Sequence, residues 1–218
     1  MNSGEWESGT LSVLREHLTR NTKFLDIGAW IGPTGLTAAA IGARVVAFEP
    51  DPVAYKHLLA NIALNPELAG QIEVHNAAAW ISDGQRRLGS GRFGLGDSMS
   101  SFATESENGV IVQTVDVAKL HGDFVKIDVE GAEYDIIPRA ASTLLKNRPP
   151  LLLATHGVSG GARNRMTQSC RMAKLLWSIR GYRRKFLLRP SVRPFRSADI
   201  PRALFGLGER DMFFTNSV

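Results

Sequence analysis

Short apolar runs recur along this chain, and between them apolar residues return every three to four positions. A stretch at 11–18 has the spacing of a short amphipathic opening helix. Lys23–Ile27 (KFLDI) reads as a buried strand and 34–41 as the helix that follows it. Arg44–Phe48 (RVVAF) is a second short, β-branched strand. Asp51 then suits a helix N-cap and Pro52 the first helical position. The helix beyond them places Tyr55, Leu58, Leu59 and Ile62 on one predicted buried face. A third strand is predicted over 71–75.

The stretch 80–114 is less regular, with turn signals in SDG, GSGRFGLGDS and ENG, until 110–115 alternates like a strand. The run at 124–129 (FVKIDV) is a clear buried strand, followed by a helix with Ile137, Ala140, Ala141 and Leu144 on one face. Pro138 must lie in the first turn of that helix or kink it. A fifth strand is predicted over 151–154, and a helix over 167–180 that buries Met172, Leu175, Leu176 and Ile179. The segments 184–188 and 211–215 suit a closing antiparallel pair. Alternation of strand and helix predicts an α/β fold with a mainly parallel sheet and helices on both faces. Ligands bind such sheets beyond the carboxyl ends of the strands. The residues just after each strand are therefore the candidates for chemistry.

After the first strand come Asp26, Gly28, Gly32 and Gly35. No Gly-Lys-Ser/Thr follows, so this is not a phosphate-binding loop of the Walker type. Trp30 stands two residues after Gly28, where a dinucleotide fingerprint has glycine, and its bulk disfavours a pyrophosphate and hence a nicotinamide cofactor. After the second strand comes Glu49, at the place where an acid accepts two hydrogen bonds from a ribose diol. Asn76, Ala77 and Ala78 follow the third strand, and small residues there suit either an adenine edge or core packing. The fourth strand opens into DVEGAE, with Asp128, Glu130 and Glu133; the last reads as an acid complementing a helix dipole. Asp128, where the strand opens into the cleft, suits stabilisation of a cation or acceptance of a proton. His156 follows the fifth strand, and an imidazole suits a general base near neutral pH.

FLDIGAWIG, VVAFEPDP and above all VKIDVEGAE resemble the FkbM family of methyltransferases, over roughly 24–156. The resemblance implies a Rossmann-like class I sheet of seven strands, the last antiparallel, and S-adenosylmethionine as cofactor. It implies that Asp26, Gly28 and Ala29 line the methionine and sulfonium side, that Gly32 allows the turn, and that Glu49 holds the ribose. Ala77 or Ala78 would neighbour the adenine, and Asp128 and Glu130 would face the reacting region. Members of the family mostly methylate hydroxyl oxygens of natural products and glycans. His156 is the first choice of base and Asp128 the second. The fifth strand of many relatives ends in Glu-x-His, whereas this one reads Ala154-Thr155-His156. With no second acid or amide there, no metal is expected.

Composition adds one feature. The net charge of +5 hides an asymmetry: 163–202 holds 12 of the 26 Lys and Arg and a single acid, Asp199. The whole chain, 1–218, is expected to be one methyltransferase domain, with 157–202 a basic insertion that builds the acceptor site. The positive segment suits an anionic or lipid-linked small molecule or glycan, or peripheral attachment at a membrane surface. RNA is the alternative acceptor, with Trp177, Tyr182 and Phe186 as stacking candidates. A nucleotide-binding module without catalysis is a further alternative. The single cysteine, Cys170, excludes an internal disulfide and a multi-cysteine zinc site. No secretory leader or membrane span is expected, and a cytoplasmic location follows.

Overall fold

The computed structural model describes residues 7–89, 94–96, 102, 109–156, 162–182, 184–187, 193–194, 196, 199 and 210–215. Most of GSGRFGLGDS lies outside these residues, as do 157–161, 183, 188–192, 195, 197–198 and 200–202 of the expected insertion. The elements run α1 (Ser8–His17), β1 (Lys23–Ile27), α2 (Pro33–Ile41), β2 (Arg44–Phe48), α3 (Pro52–Ala63), α4 (Pro66–Ala69) and β3 (Ile72–His75). They continue with β4 (Ala77–Trp80), β5 (Gly84–Leu88), β6 (Val110–Asp116), β7 (Phe124–Ile127), α5 (Glu133–Asn147) and β8 (Leu151–Thr155). The chain then forms α6 (Ala162–Ser178), β9 (Arg184–Leu187), β10 (Arg193–Pro194) and β11 (Arg210–Thr215).

Among the described residues the main sheet has eight strands in the order β10-β9-β11-β8-β7-β1-β2-β3. The expectation of seven strands is short by one, because the two-residue β10 pairs with β9. Strands β3, β2, β1, β7 and β8 are parallel, and the final strand β11 runs antiparallel between β8 and β9. The predicted closing pair is thus β9 and β11.

Side-chain alternation along the strands splits the core in two. Leu25 and Ile27 of β1, with Val125 and Ile127 of β7, pack towards Ile136, Ile137 and Ala140 of α5 and Leu175 of α6. Phe24 and Phe124 point the other way, towards Val13 and Leu14 of α1, Ala38 of α2 and Leu58 of α3. Each such side chain, fully buried, stabilises the fold by about 1.5–3 kcal/mol. The same period of two sends Asp26 and Lys126 to the α1–α3 side, opposite each other in the β1–β7 register.

Helix α3 begins as predicted: the Asp51 carboxylate accepts from the N–H groups of Val53 (2.8 Å) and Ala54 (3.2 Å), with Pro52 at the first position. Such a cap is worth about 1 kcal/mol. Its buried stripe is Ala54, Leu58 and Ile62, while Leu59 is exposed. In α5 the stripe takes Ile136 rather than Ala141, and Pro138 is the sixth residue, past the first turn. A second sheet, β4-β6-β5, was not foreseen apart from β6. No helix among the described residues is long and apolar enough to cross a membrane.

Candidate active site

Strands β1 and β7 are neighbours, yet β1 leads into α2 on one face and β7 into α5 on the other. Their carboxyl ends therefore part and leave a crevice. The chain leaving β1 bends over that crevice. The N–H groups of Gly28 and Ala29 both donate to the Phe48 carbonyl (3.0 and 3.1 Å), which ties the bend to the end of β2. Gly28 has φ +81°, and a Cβ there would lie 1.7 Å from the Asp128 carbonyl oxygen. Only glycine lets the two loops touch.

Beneath the bend, the Lys126 ammonium is buried. It donates to the Gly28 carbonyl (3.0 Å) and lies 3.3 Å from Asp26 and 3.4 Å from Asp128. Burial alone would lower its pKa, but the charges of Asp26 and Asp128 outweigh that and raise it. Asp26 also accepts from the Thr34 hydroxyl (2.7 Å) and is completely buried. Both Asp26 and Lys126 thus build the bend from below, and Lys126 lies on the cavity wall.

The crevice holds a cavity of about 230 Å³. Gly28, Ala29, Trp30, Glu49, Asp128 and Glu130 line it. Phe48, Ala78, Leu88 and Phe102 supply an apolar wall. Trp30 is held at the edge rather than across the space: its indole N–H donates to the Gly96 carbonyl (3.2 Å), while the Gly96 N–H donates to Asp51 (2.7 Å). Glu49 is nearly fully buried, and each of its oxygens accepts one backbone N–H, from Trp30 and from Asp51 (both 2.8 Å). Burial drives its carboxyl up to about 7 although those two N–H groups pull it down. A carboxylate so held keeps one lone pair on each oxygen, which matches a pair of adjacent hydroxyl donors.

Around Asp128 and Glu130 the fold gathers an acid–histidine cluster. The His156 Nε2 lies 3.3 Å from Glu130 Oε1 and 3.5 Å from Asp128 Oδ1. Its Nδ1 faces Glu133 Oε1 at 3.6 Å. Glu133 is fully buried, and its carboxylate accepts from the backbone N–H groups of Gly131 and His156 (both 2.7 Å). It is therefore more than a dipole-complementing acid: it fixes where α5 begins against the end of β8. Burial works against a charge on His156, but Glu133, Glu130 and Asp128 together raise its pKa to about 9. Tyr134 fastens the same corner by donating to the His156 carbonyl (2.9 Å).

The remaining expected residues fall as follows. Gly32 is the N-cap of α2 with φ +95° and is buried beside Leu58. Asn76 is exposed and donates to the carbonyls of Glu49 (2.9 Å) and Pro50 (3.2 Å), so it holds the turn after β2. Ala77 lies in the core, while Ala78 and Ala79 reach the cavity. His156 touches Asp128 and Glu130 but does not line the cavity. Sequence reading passed over Lys126, Trp30 as a cavity wall, and the clamp made by Asp51. Of the stacking candidates, Tyr182 is buried with its hydroxyl on the Pro149 carbonyl (2.8 Å), and Trp177 is exposed beneath Arg180.

Comparison with solved structures supports the fold. An FkbM methyltransferase from Methylobacillus flagellatus KT superposes with a TM-score of 0.57 at 17% identity, covering 91% of this chain and 44% of that one. This chain therefore spans less than half of that protein. A precorrin-6Y C5,15-methyltransferase from Geobacter metallireducens GS-15 gives 0.50 at 14% identity, covering 100% of this chain and 90% of that one. No curated protein matches. The model of the methyltransferase FkbM domain matches residues 26–183, most of the chain and all of the cavity's strand ends. The chain belongs to the FkbM methyltransferase family.

Proposed function

We propose that this protein is an S-adenosylmethionine-dependent O-methyltransferase acting on a hydroxyl of a glycan or natural-product small molecule. The observation that carries the reading is Glu49, a buried carboxylate fixed by two backbone N–H groups in one cavity with the Gly28 bend. That pair fits a ribose diol and an amino-acid tail. The apolar wall of Phe48, Ala78, Leu88 and Phe102 fits a purine ring. When bound, S-adenosylmethionine supplies an electrophilic methyl group on a sulfonium.

The chain's own residues then have distinct tasks. Glu49 accepts from the ribose hydroxyls. The Gly28–Ala29 bend, which lies against the Asp128 carbonyl because Gly28 has no side chain, takes the amino-acid tail of the cofactor. Asp128 and Glu130 line the cavity, and either carboxylate can take the proton that an acceptor hydroxyl loses. His156 is turned onto those two carboxylates, so its geometry suits positioning rather than direct proton abstraction. Holding the reacting atoms about 3–3.5 Å apart accounts for most of the rate. A base adds a factor on the order of 10²–10⁴.

The basic 163–202 segment favours an anionic or lipid-linked acceptor, met in the cytoplasm or at a membrane surface. Burial of Tyr182 removes one of the three rings expected to stack on RNA bases and so favours the small acceptor. The test is transfer of labelled methyl from the donor to panels of glycans, polyketides and RNA. The expected product is an alkali-stable methyl ether on a small acceptor. Label found in RNA, or in an alkali-labile ester, would overturn the assignment.

A further inference from the structure

We propose that Asp128, Glu130 and His156 form a binding site for one divalent cation of the manganese or zinc type. The expectation of no metal rested on the end of the fifth strand, which offers neither acid nor amide. The fold brings two carboxylates from the loop after β7 beside an imidazole from the residue after β8. Their donor atoms all lie within 4.8 Å of one another. Cis ligands of an octahedral ion, about 2.1 Å from it, stand roughly 3.0 Å apart, and tetrahedral ligands at about 2.0 Å stand roughly 3.3 Å apart. The observed 3.3 and 3.5 Å from His156 Nε2 to the two carboxylates fall within a few tenths of an ångström of those spacings. Two of the three donor spacings thus match those of ligands around one ion.

Two further features bear on this. Glu133, fully buried and fixed by two backbone N–H groups, faces the opposite ring nitrogen. A carboxylate at that place orients a metal-bound histidine and strengthens it as a ligand. Carboxylates also outnumber basic groups here: Asp26 and Asp128 flank the buried Lys126, and Asp128, Glu130 and Glu133 all face His156. A doubly charged ion offsets that excess. One nitrogen and two carboxylate oxygens suit a borderline ion such as Mn²⁺ or Zn²⁺ better than Ca²⁺, which takes six to eight oxygens. Asp128 and Glu130 both line the cavity, so an ion that they hold lies beside it. An acceptor hydroxyl bound there would lose its proton more readily. That role rests on the methyl-transfer reading above; binding of the ion does not.

The test is titration of the full chain with Mn²⁺, followed by electron paramagnetic resonance and calorimetry, in the absence of any methyl donor. The expected result is one ion per chain, with nitrogen coupling from one imidazole in the pulsed spectrum. Glu130→Gln and His156→Ala should each weaken binding at least tenfold, and His156→Ala should abolish the nitrogen signal. Asp135→Asn, an exposed acid on the same helix as Glu133, should change neither. Circular dichroism melts report whether each variant is folded, and Glu130→Gln, at a partly exposed side chain, keeps the test open where His156→Ala unfolds. No saturable binding up to 1 mM Mn²⁺ (on the order of the weakest biological calcium sites), binding without nitrogen coupling, or equal binding by folded Glu130→Gln, would overturn the site. Cofactor affinity, measured separately with S-adenosylhomocysteine, tests the methyltransferase reading and is independent of each of these outcomes.

Discussion

Replacing Glu49 with glutamine should abolish a pH dependence that the wild-type protein carries in both ligand affinity and stability. Burial holds the folded-state pKa at about 7, against 4.5 as the ordinary value. Only the ionised carboxylate offers an acceptor to each ribose hydroxyl. With a pKa of about 7, roughly nine-tenths is ionised at pH 8 and roughly one-tenth at pH 6. Affinity for S-adenosylhomocysteine should therefore fall about tenfold, or about 1.4 kcal/mol, between those values. At pH 7 binding should release about half a proton, visible as a dependence of the calorimetric heat on buffer ionisation enthalpy. Stability of the free protein runs the opposite way with pH. Because the folded pKa lies above the unfolded one, the folded state holds the proton more tightly. The Glu49 contribution is then fully present below about pH 4.5 and is lost as pH rises to about 7, on the order of 3 kcal/mol in all. Calorimetry from pH 6 to 8.5 and urea melts over pH 4.5 to 8 check both curves. Affinity that stays flat in the wild type, or a glutamine variant that keeps the same slope, would refute the ribose assignment.

Three other outcomes are expected. Gly28→Ala puts a Cβ 1.7 Å from the Asp128 carbonyl at φ +81°, and should cost about 2–5 kcal/mol in urea unfolding and abolish S-adenosylhomocysteine binding. Lys126→Met leaves the buried Asp26 without its cation and should lose about 3–5 kcal/mol, read from the same melts. Tyr182→Phe removes the hydrogen bond to the Pro149 carbonyl and should lose about 1–2 kcal/mol, with cofactor affinity unchanged.

The strands that carry the cavity were legible because they are buried on both faces. KFLDI, RVVAF and FVKI are continuous short runs that no amphipathic helix would need. The cap of α3 was legible because Asp-Pro has one efficient use at a helix start. β4 and β5 were not. Ala77–Ala79 carry no β-branched signal, and four of the five residues of β5 are exposed, so neither segment shows alternation. Pairing with β6 on either side, a long-range event, makes them strands. Lys126 was hidden for a different reason. Inside FVKI it looks like an interruption, and only the parallel register that sets it beside Asp26 shows it to be a buried counter-ion. Glu133 and His156 are 23 residues apart and meet only because β8 returns beside β7.

The most direct measurement of the central claim is a crystal structure of the protein soaked with S-adenosylhomocysteine. The expected result places both ribose hydroxyls within hydrogen-bond distance of the Glu49 carboxylate, with the amino-acid tail against the Gly28–Ala29 bend. A ligand bound elsewhere, or a ribose turned away from Glu49 in this cavity, would contradict it.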